Sequence, residues 1–114
     1  MTPDTPIEVS PTDVSYLMER PGERRFRIID CREESEWHIC HLPDARLVPL
    51  TRFSELAPQV FQDTQEHLII YCHHGVRSLR ATQWLREHGF AHVQSMRGGI
   101  DAWADLVEPE MPRY

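Results

Sequence analysis

The sequence predicts a three-layer α/β domain, a mainly parallel five-stranded sheet flanked by helices. Three observations lead there. Apolar runs of strand length alternate about five times with segments of helical pattern. The most apolar run, His67 to Tyr71, reads as a central strand and leads into the best amphipathic helix, Val76 to His88. The 114 residues fit one domain, and a chain of that size buries enough surface to fold without metals or disulfides.

Residues 1–6 read as a loose tail, and Ile7-Glu8-Val9 suits a short edge strand. Ser10-Pro11-Thr12-Asp13 is a helix start, with Ser10 as N-cap and Pro11 at the first helical position. That helix runs to about Arg20 and stops at Pro21-Gly22. Phe26 to Asp30 reads as a buried strand, and Glu33 to about Ile39 as a short acidic helix. His41-Leu42-Pro43-Asp44-Ala45 is a loop, its Pro and Asp favouring turn geometry. Arg46 to Leu50 has strand content that Pro49 restricts to an edge, and Thr51 is placed to cap a helix reaching about Gln59, broken or bent near Pro58. Along Val76 to His88 the expected buried stripe is Leu79, Ala81, Trp84, Leu85 and His88, with Gly89 at the C′ position. His92 to Met96 is a last strand, Gly98-Gly99 a turn, and Ile100 to Leu106 a last helix with Ile100, Trp103 and Val107 on one stripe. The domain thus spans 7–107, followed by an extended tail over 108–114.

Acidic residues outnumber Lys and Arg by 18 to 12, for a net charge of −6. Nucleic acid and anionic membrane surfaces are therefore poor partners. No run reaches the roughly 18 apolar residues of a membrane span, and the first six residues lack the basic and apolar regions of a signal peptide. Three cysteines, Cys31, Cys40 and Cys72, are an odd number and read as reduced thiols, so the expected location is cytoplasmic.

Cys72 stands at the seam between the central strand and the best helix. A thiolate there faces loop amides and the positive end of a helix dipole. Those conditions lower a cysteine pKa from its ordinary value of about 8.5, so Cys72 is the candidate nucleophile. In the following loop, His73 and His74 are polar, Gly75 permits a tight turn, and successive amides through Val76, Arg77 and Ser78 form an anion nest. Arg77, with Arg80 and Arg97, makes a basic island that attracts a small anion. The plainer reading of Cys72 is a buried structural thiol; the seam, Gly75 and Arg77 outweigh it. Adjacent side chains such as His73 and His74 rarely converge on one ion, and the set Cys31, His38, Cys40 and His41 lacks a paired Cys-x-x-Cys knuckle, so no metal is expected. Cys31 reads as packed under the sheet edge. Trp37, Trp84 and Trp103 read as packing, and Glu33, Glu34 and Glu36 as a solvated helix face with an Arg partner.

Four pieces in order, Asp30-Cys31-Arg32-Glu33 with Glu36, His41-Leu42-Pro43 with Ala45 and Pro49, Cys72 to Ser78, and Met96-Arg97-Gly98-Gly99-Ile100 with Trp103, resemble the single-domain rhodanese family of sulfurtransferases. The final residues, Pro109 to Tyr114, also look like the end of the rhodanese domains fused to sulfur-carrier adenylyltransferases. The sequence departs from the family pattern where Cys40 precedes His41 in place of a glycine, and where Asp44 replaces a second glycine. The resemblance implies that the Cys72 thiolate takes the outer sulfur of thiosulfate, releases sulfite, and passes the sulfur from a persulfide to cyanide or a thiol. It implies no cofactor, a donor-binding role for Arg77, and structural roles for Asp30 and Arg32, paired beside the site. A sulfur-carrier or cofactor-biosynthesis protein is a possible partner. Cys40 has a less favoured role, resolving the persulfide as a disulfide with Cys72. Two other classes remain open. Cys-based phosphatases and arsenate reductases place five residues between Cys and Arg, whereas four intervene here, His73 to Val76. A non-catalytic binding or regulatory module would retain the cradle without turnover.

Overall fold

The computed structural model describes residues 5–20 and 25–114. The first four residues of the expected tail and the expected helix stop at Pro21-Gly22 lie outside them. Strands and helices alternate as β1 (Glu8–Val9), α1 (Pro11–Glu19), β2 (Phe26–Asp30), α2 (Glu34–Ile39), β3 (Arg46–Leu47), α3 (Phe53–Val60), β4 (His67–Tyr71), α4 (Val76–Glu87), β5 (Val93–Met96) and α5 (Gly99–Leu106). The strands form one parallel five-stranded sheet in the order β1-β5-β4-β2-β3. The expected fold class is therefore borne out.

Local chemistry explains most boundaries. At the start of α1 the Asp13 amide donates to Ser10 Oγ at 3.1 Å, and Pro11 occupies the first turn, where its missing N–H costs nothing. α2 begins with a capping box built from Glu33 and Glu36. β3 is an edge strand of two residues, shorter than the Arg46–Leu50 run, because Pro49 ends it and starts a 3-10 turn over Leu50–Arg52. Thr51 lies inside that turn and does not cap α3; its hydroxyl donates to Glu33 Oε1 at 2.9 Å. Pro58 sits within α3 without ending it.

The two faces of the sheet carry separate cores. Ile29, Cys31, Leu68, Ile70, Cys72 and Val93 pack with Phe53, Phe61, Ala81 and Leu85, so α3 and α4 cover one side. Ile28, Ile69, Tyr71 and Met96 pack with Val14, Ile100 and Trp103 of α1 and α5 on the other. α4 turns differently from the expected stripe. It buries Ser78, Ala81, Thr82 and Leu85, while His88 is the exposed C-cap and stacks on Trp84. Small hydroxyl residues on the buried face let the helix approach β4 and β5 closely; apolar periodicity cannot register them.

Thr5 and Pro6, expected within a loose tail, are held by the sheet edge. Arg86 Nη2 donates to the Thr5 carbonyl at 2.8 Å, and Gln94 Nε2 to that of Pro6 at 2.9 Å. The last residues also fold back: Met111 is buried, and Arg113 bridges Asp101 and Asp105 at 2.8 and 2.6 Å. From β2 the chain moves one way to β3, and from β4 the other way to β5. β2 and β4 are neighbours, so the strand order reverses between them, and their carboxyl ends open the crevice where ligands bind in such sheets. Among the described residues, no helix is long and apolar enough to cross a membrane.

Candidate active site

Cys72 is the first residue past β4, at that reversal. It is 1% exposed, yet its sulfur is not in purely apolar surroundings. The Gly75 amide donates to Sγ at 3.1 Å and the Ser78 amide at 3.3 Å, with Ser78 Oγ at 3.4 Å. Ser95 Oγ lies 2.7 Å from Ser78 Oγ and can donate to it, so the single Ser78 proton is divided between the Gly75 carbonyl at 3.3 Å and the sulfur at 3.4 Å.

Two glycines give the loop its shape. Gly75 takes φ +100 as the N-cap of α4, a left-handed conformation that costs other residues strain, and this aims its amide at the sulfur. Gly99 has φ +65, and a Cβ there would sit 2.4 Å from the His73 carbonyl oxygen and 2.5 Å from that of Cys72. The close approach lets the first amides of α5 clasp the loop: Ile100 N donates to the Cys72 carbonyl at 2.8 Å, and Asp101 N to that of His73 at 3.0 Å.

The Cys72 pKa falls to about 5. The largest cause is a hydrogen bond from the Cys31 thiol; the Ser78 hydroxyl and the Ser78 and Gly75 amides add to it, against an opposing effect of burial. Cys31 moves the other way, well above its ordinary value, because its thiol keeps the proton it shares in a hydrogen bond with Cys72 and is itself buried. The two shifts, down for Cys72 and up for Cys31, favour the charge on Cys72. His73 is pushed below its ordinary value by burial and by His74 beside it.

Around the cysteine runs a polar chain. Asp30 and Arg32, both fully buried, pair through Arg32 Nε and Nη2, the latter 2.7 Å from Asp30 Oδ2. Arg32 Nη1 donates to Tyr114 Oη at 2.8 Å, Tyr114 Oη donates to Glu36 Oε2 at 2.7 Å, and Arg77 grips both Glu36 oxygens at 2.6 and 2.8 Å. Arg77 holds Glu36 down at about 2. The Tyr114 ring stacks on His73 at 3.9 Å. The Arg77 guanidinium is therefore neutralised locally by Glu36. The expected basic island does not gather at the cysteine as a unit. Arg97 is largely exposed and reaches Glu8 at 3.7 Å, and Arg80 is exposed on α4.

A sequence model of the family described as a rhodanese-like domain matches residues 10–106. The chain belongs to the rhodanese-like domain family. It is 36% identical over 93 residues to a probable adenylyltransferase/sulfurtransferase, MoeZ, of Mycobacterium tuberculosis, covering 80% of this chain and 23% of that protein. It is 32% identical over 108 residues to the adenylyltransferase and sulfurtransferase MOCS3 of Drosophila ananassae, covering 90% and 24%. The chain thus spans about a quarter of the length of these larger relatives. Among solved structures, the human single-domain sulfurtransferase TSTD1 superposes with a TM-score of 0.74 at 22% identity, covering 89% of this chain and 97% of that one, a likeness of fold.

Against the rhodanese-like pattern, the two departures in the 40–45 loop have simple outcomes. Asp44 takes the left-handed φ of 63 itself, as its short polar side chain allows. Cys40 keeps an extended φ of −168, and its carbonyl accepts from Arg32 Nη2 at 2.6 Å. Its side chain packs against the opposite core from Cys72, so Cys40 is not placed to resolve that sulfur. The zinc-like set is divided for the same reason, since Cys31 and Cys40 pack on different faces. His73 and His74 do converge more than adjacent residues usually do. With Asp101 they bring ligand-type atoms within 4.8 Å of one another, although Asp101 already accepts from Arg113. Sequence reasoning missed Ser95, Tyr114 and the Cys31 contact. The first two reach the site over 17 and 78 residues of sequence separation, from Ser78 and Glu36 respectively, with no local signal. The third depends on β2 and β4 being neighbours with Asp30 paired to Tyr71, which sets the two following cysteines side by side.

Proposed function

We propose that this chain is a sulfurtransferase that carries sulfane sulfur as a persulfide on Cys72. The thiolate attacks the outer sulfur of thiosulfate, the sulfur–sulfur bond breaks, and sulfite leaves with the electron pair. Cys72 then bears a persulfide anion whose charge the loop amides accept. A thiophilic acceptor, cyanide or a thiol, attacks that terminal sulfur and restores the Cys72 thiolate, which gives two half-reactions and ping-pong kinetics. One observation carries this reading: a cysteine sulfur at 3.1 and 3.3 Å from two loop amides at the strand–helix seam.

The donor need not be thiosulfate; a protein persulfide offers the same sulfur. Many rhodanese-like domains are non-catalytic; two loop amides converging on the Cys72 sulfur, with its pKa lowered, favour the catalytic reading. The phosphatase reading is disfavoured by the loop, where four residues between Cys72 and Arg77 form a ring suited to one sulfur atom, and by Glu36, which already occupies the arginine. The MoeZ and MOCS3 relatives, named as adenylyltransferases and sulfurtransferases, support a sulfur-carrier protein as the acceptor. Three free thiols fit a reducing cytoplasm.

The test is turnover of thiosulfate and cyanide to sulfite and thiocyanate, with parallel double-reciprocal plots. Activity in the wild type and none in Cys72→Ser is expected. Release of phosphate from an aryl phosphate without thiocyanate formation would overturn the reading in favour of a phosphatase.

A further inference from the structure

Cys31 sits where no local rule places a reactive group, and its position follows from strand register. Asp30 and Tyr71 are paired on β2 and β4, so Cys31 and Cys72 are the next pair beyond them. The ladder extends that far, because the Cys31 amide donates to the Tyr71 carbonyl at 3.0 Å. Side chains alternate along a strand, and both cysteines fall on the face of Ile29 and Ile70, whereas Ile28, Ile69 and Tyr71 point to the other. Neighbouring strands lie about 4.8 Å apart, within the Cα range of about 4.4–6.8 Å that a disulfide spans. Cys31 is 0% exposed, so any chemistry it performs is with a partner inside the fold.

We propose that Cys31 is a resolving thiol that discharges a Cys72 persulfide as hydrosulfide when no acceptor arrives. The proposal rests on the sulfur-transfer reading above. Cys31 attacks the inner sulfur, Sγ of Cys72. A Cys31–Cys72 bond forms, the bond to the terminal sulfur breaks, and that sulfur leaves with the electron pair and takes up the Cys31 proton. A thiol and a persulfide anion become a disulfide and HS⁻. The sulfane sulfur is reduced by two electrons, and the two cysteine sulfurs supply one each. The geometry suits displacement, since the Gly75 and Ser78 amides reach Sγ from the loop and Cys31 reaches it from the neighbouring strand.

The two exits from the persulfide use different sulfurs. An external acceptor takes the outer one, whereas Cys31 reaches the inner one. Burial keeps Cys31 protonated and therefore slow, so transfer wins whenever an acceptor is present. The resulting disulfide blocks a second loading until a reducing thiol opens it. The device limits how long a reactive persulfide persists, and it adds a thiosulfate-dependent release of hydrosulfide to the activities of the site.

The experiment loads the full chain with thiosulfate, removes excess donor, and follows intact mass and free hydrosulfide over time without an acceptor. Wild type, Cys31→Ser, Cys31→Ala and the control Cys40→Ser are compared. All four are expected to gain one sulfur atom at first, the two Cys31 variants more slowly, because Cys72 loses the neighbour that lowers its pKa most. Wild type and Cys40→Ser then lose it, release one equivalent of hydrosulfide, and end two hydrogens lighter than the reduced protein. Hydrosulfide release and the disulfide are both absent in the Cys31 variants, which hold the sulfur. Should those variants fold poorly, peptide mapping of aged wild type must still show Cys31 linked to Cys72. Equal persistence of the sulfur in wild type and both Cys31 variants, or loss without a Cys31–Cys72 link, overturns the proposal. Absence of the initial sulfur gain in every variant overturns the sulfur-transfer reading, and this proposal with it.

Discussion

Gly99→Ala tests how tightly the start of α5 clasps the cysteine loop. Two costs add. The left-handed φ of +65 is unfavourable for alanine by about 1–2 kcal/mol. The new Cβ would stand 2.4 Å from the His73 oxygen and 2.5 Å from the Cys72 oxygen, where an ordinary carbon–oxygen contact is about 3.3 Å. The loop or the helix must therefore shift by roughly 0.9 Å. That movement breaks the Ile100–Cys72 and Asp101–His73 hydrogen bonds, each worth about 1 kcal/mol, and more if the carbonyls stay buried. The total is about 3–5 kcal/mol, a large part of the 5–15 kcal/mol that holds a domain together (about that range). Gly89→Ala is the control: φ is +96, but its Cβ would meet nothing nearer than Thr64 Cγ2 at 4.0 Å, so only the conformational cost of about 1–2 kcal/mol applies. Urea unfolding, read as a midpoint shift at constant slope, separates the two. Sulfur transfer should fall in Gly99→Ala and stay unchanged in Gly89→Ala. Equal destabilisation of the two variants would refute the clasp.

Other perturbations address the polar chain and the thiolate. Asp30→Ala strands the Arg32 guanidinium in the core and should cost about 3–5 kcal/mol in chemical denaturation. Tyr114→Phe keeps the stack on His73 but removes the hydroxyl between Arg32 and Glu36. It should cost about 1 kcal/mol and raise the Glu36 pKa in an NMR titration, although Arg77, the larger cause, still holds that group below the usual carboxylate range. Ser78→Ala removes a donor to a charged acceptor worth about 1.5–3 kcal/mol, so the Cys72 pKa should climb by roughly one to two units. The signature is slower alkylation under mildly acidic conditions and near-normal alkylation under basic ones.

The fold was legible because its signals are local. Phe26–Asp30 and His67–Tyr71 are short apolar runs, and Ser10, Pro49 and Gly89 punctuate them with known backbone chemistry. The position of Cys72 was legible for the same reason, between a strand and a glycine-started helix. Elements whose burial depends on polar atoms were harder to place. α4 presents Ser78 and Thr82 to the sheet, which no hydropathy pattern records. Arg77 carried the charge expected of it, but its partner Glu36 lies 41 residues away, and that pairing changes a free cation into half of an ion pair. Cys31 shows the limit most clearly. Its contact with Cys72 depends on which strands are neighbours, and strand order is a property of the sheet as a whole.

The state of the Cys72 sulfur can be read from the pH dependence of alkylation by a small haloacetamide, followed at the peptide that contains Cys72. A thiol whose folded pKa is depressed reacts as thiolate above that value and loses reactivity as pH falls through it, and its contribution to stability is lost over the same descent. The expected profile is flat through neutral pH and falls with a midpoint near about 5. A rate that is low at neutral pH and rises through roughly 8.5, as for an ordinary cysteine, would contradict a primed sulfur at this position.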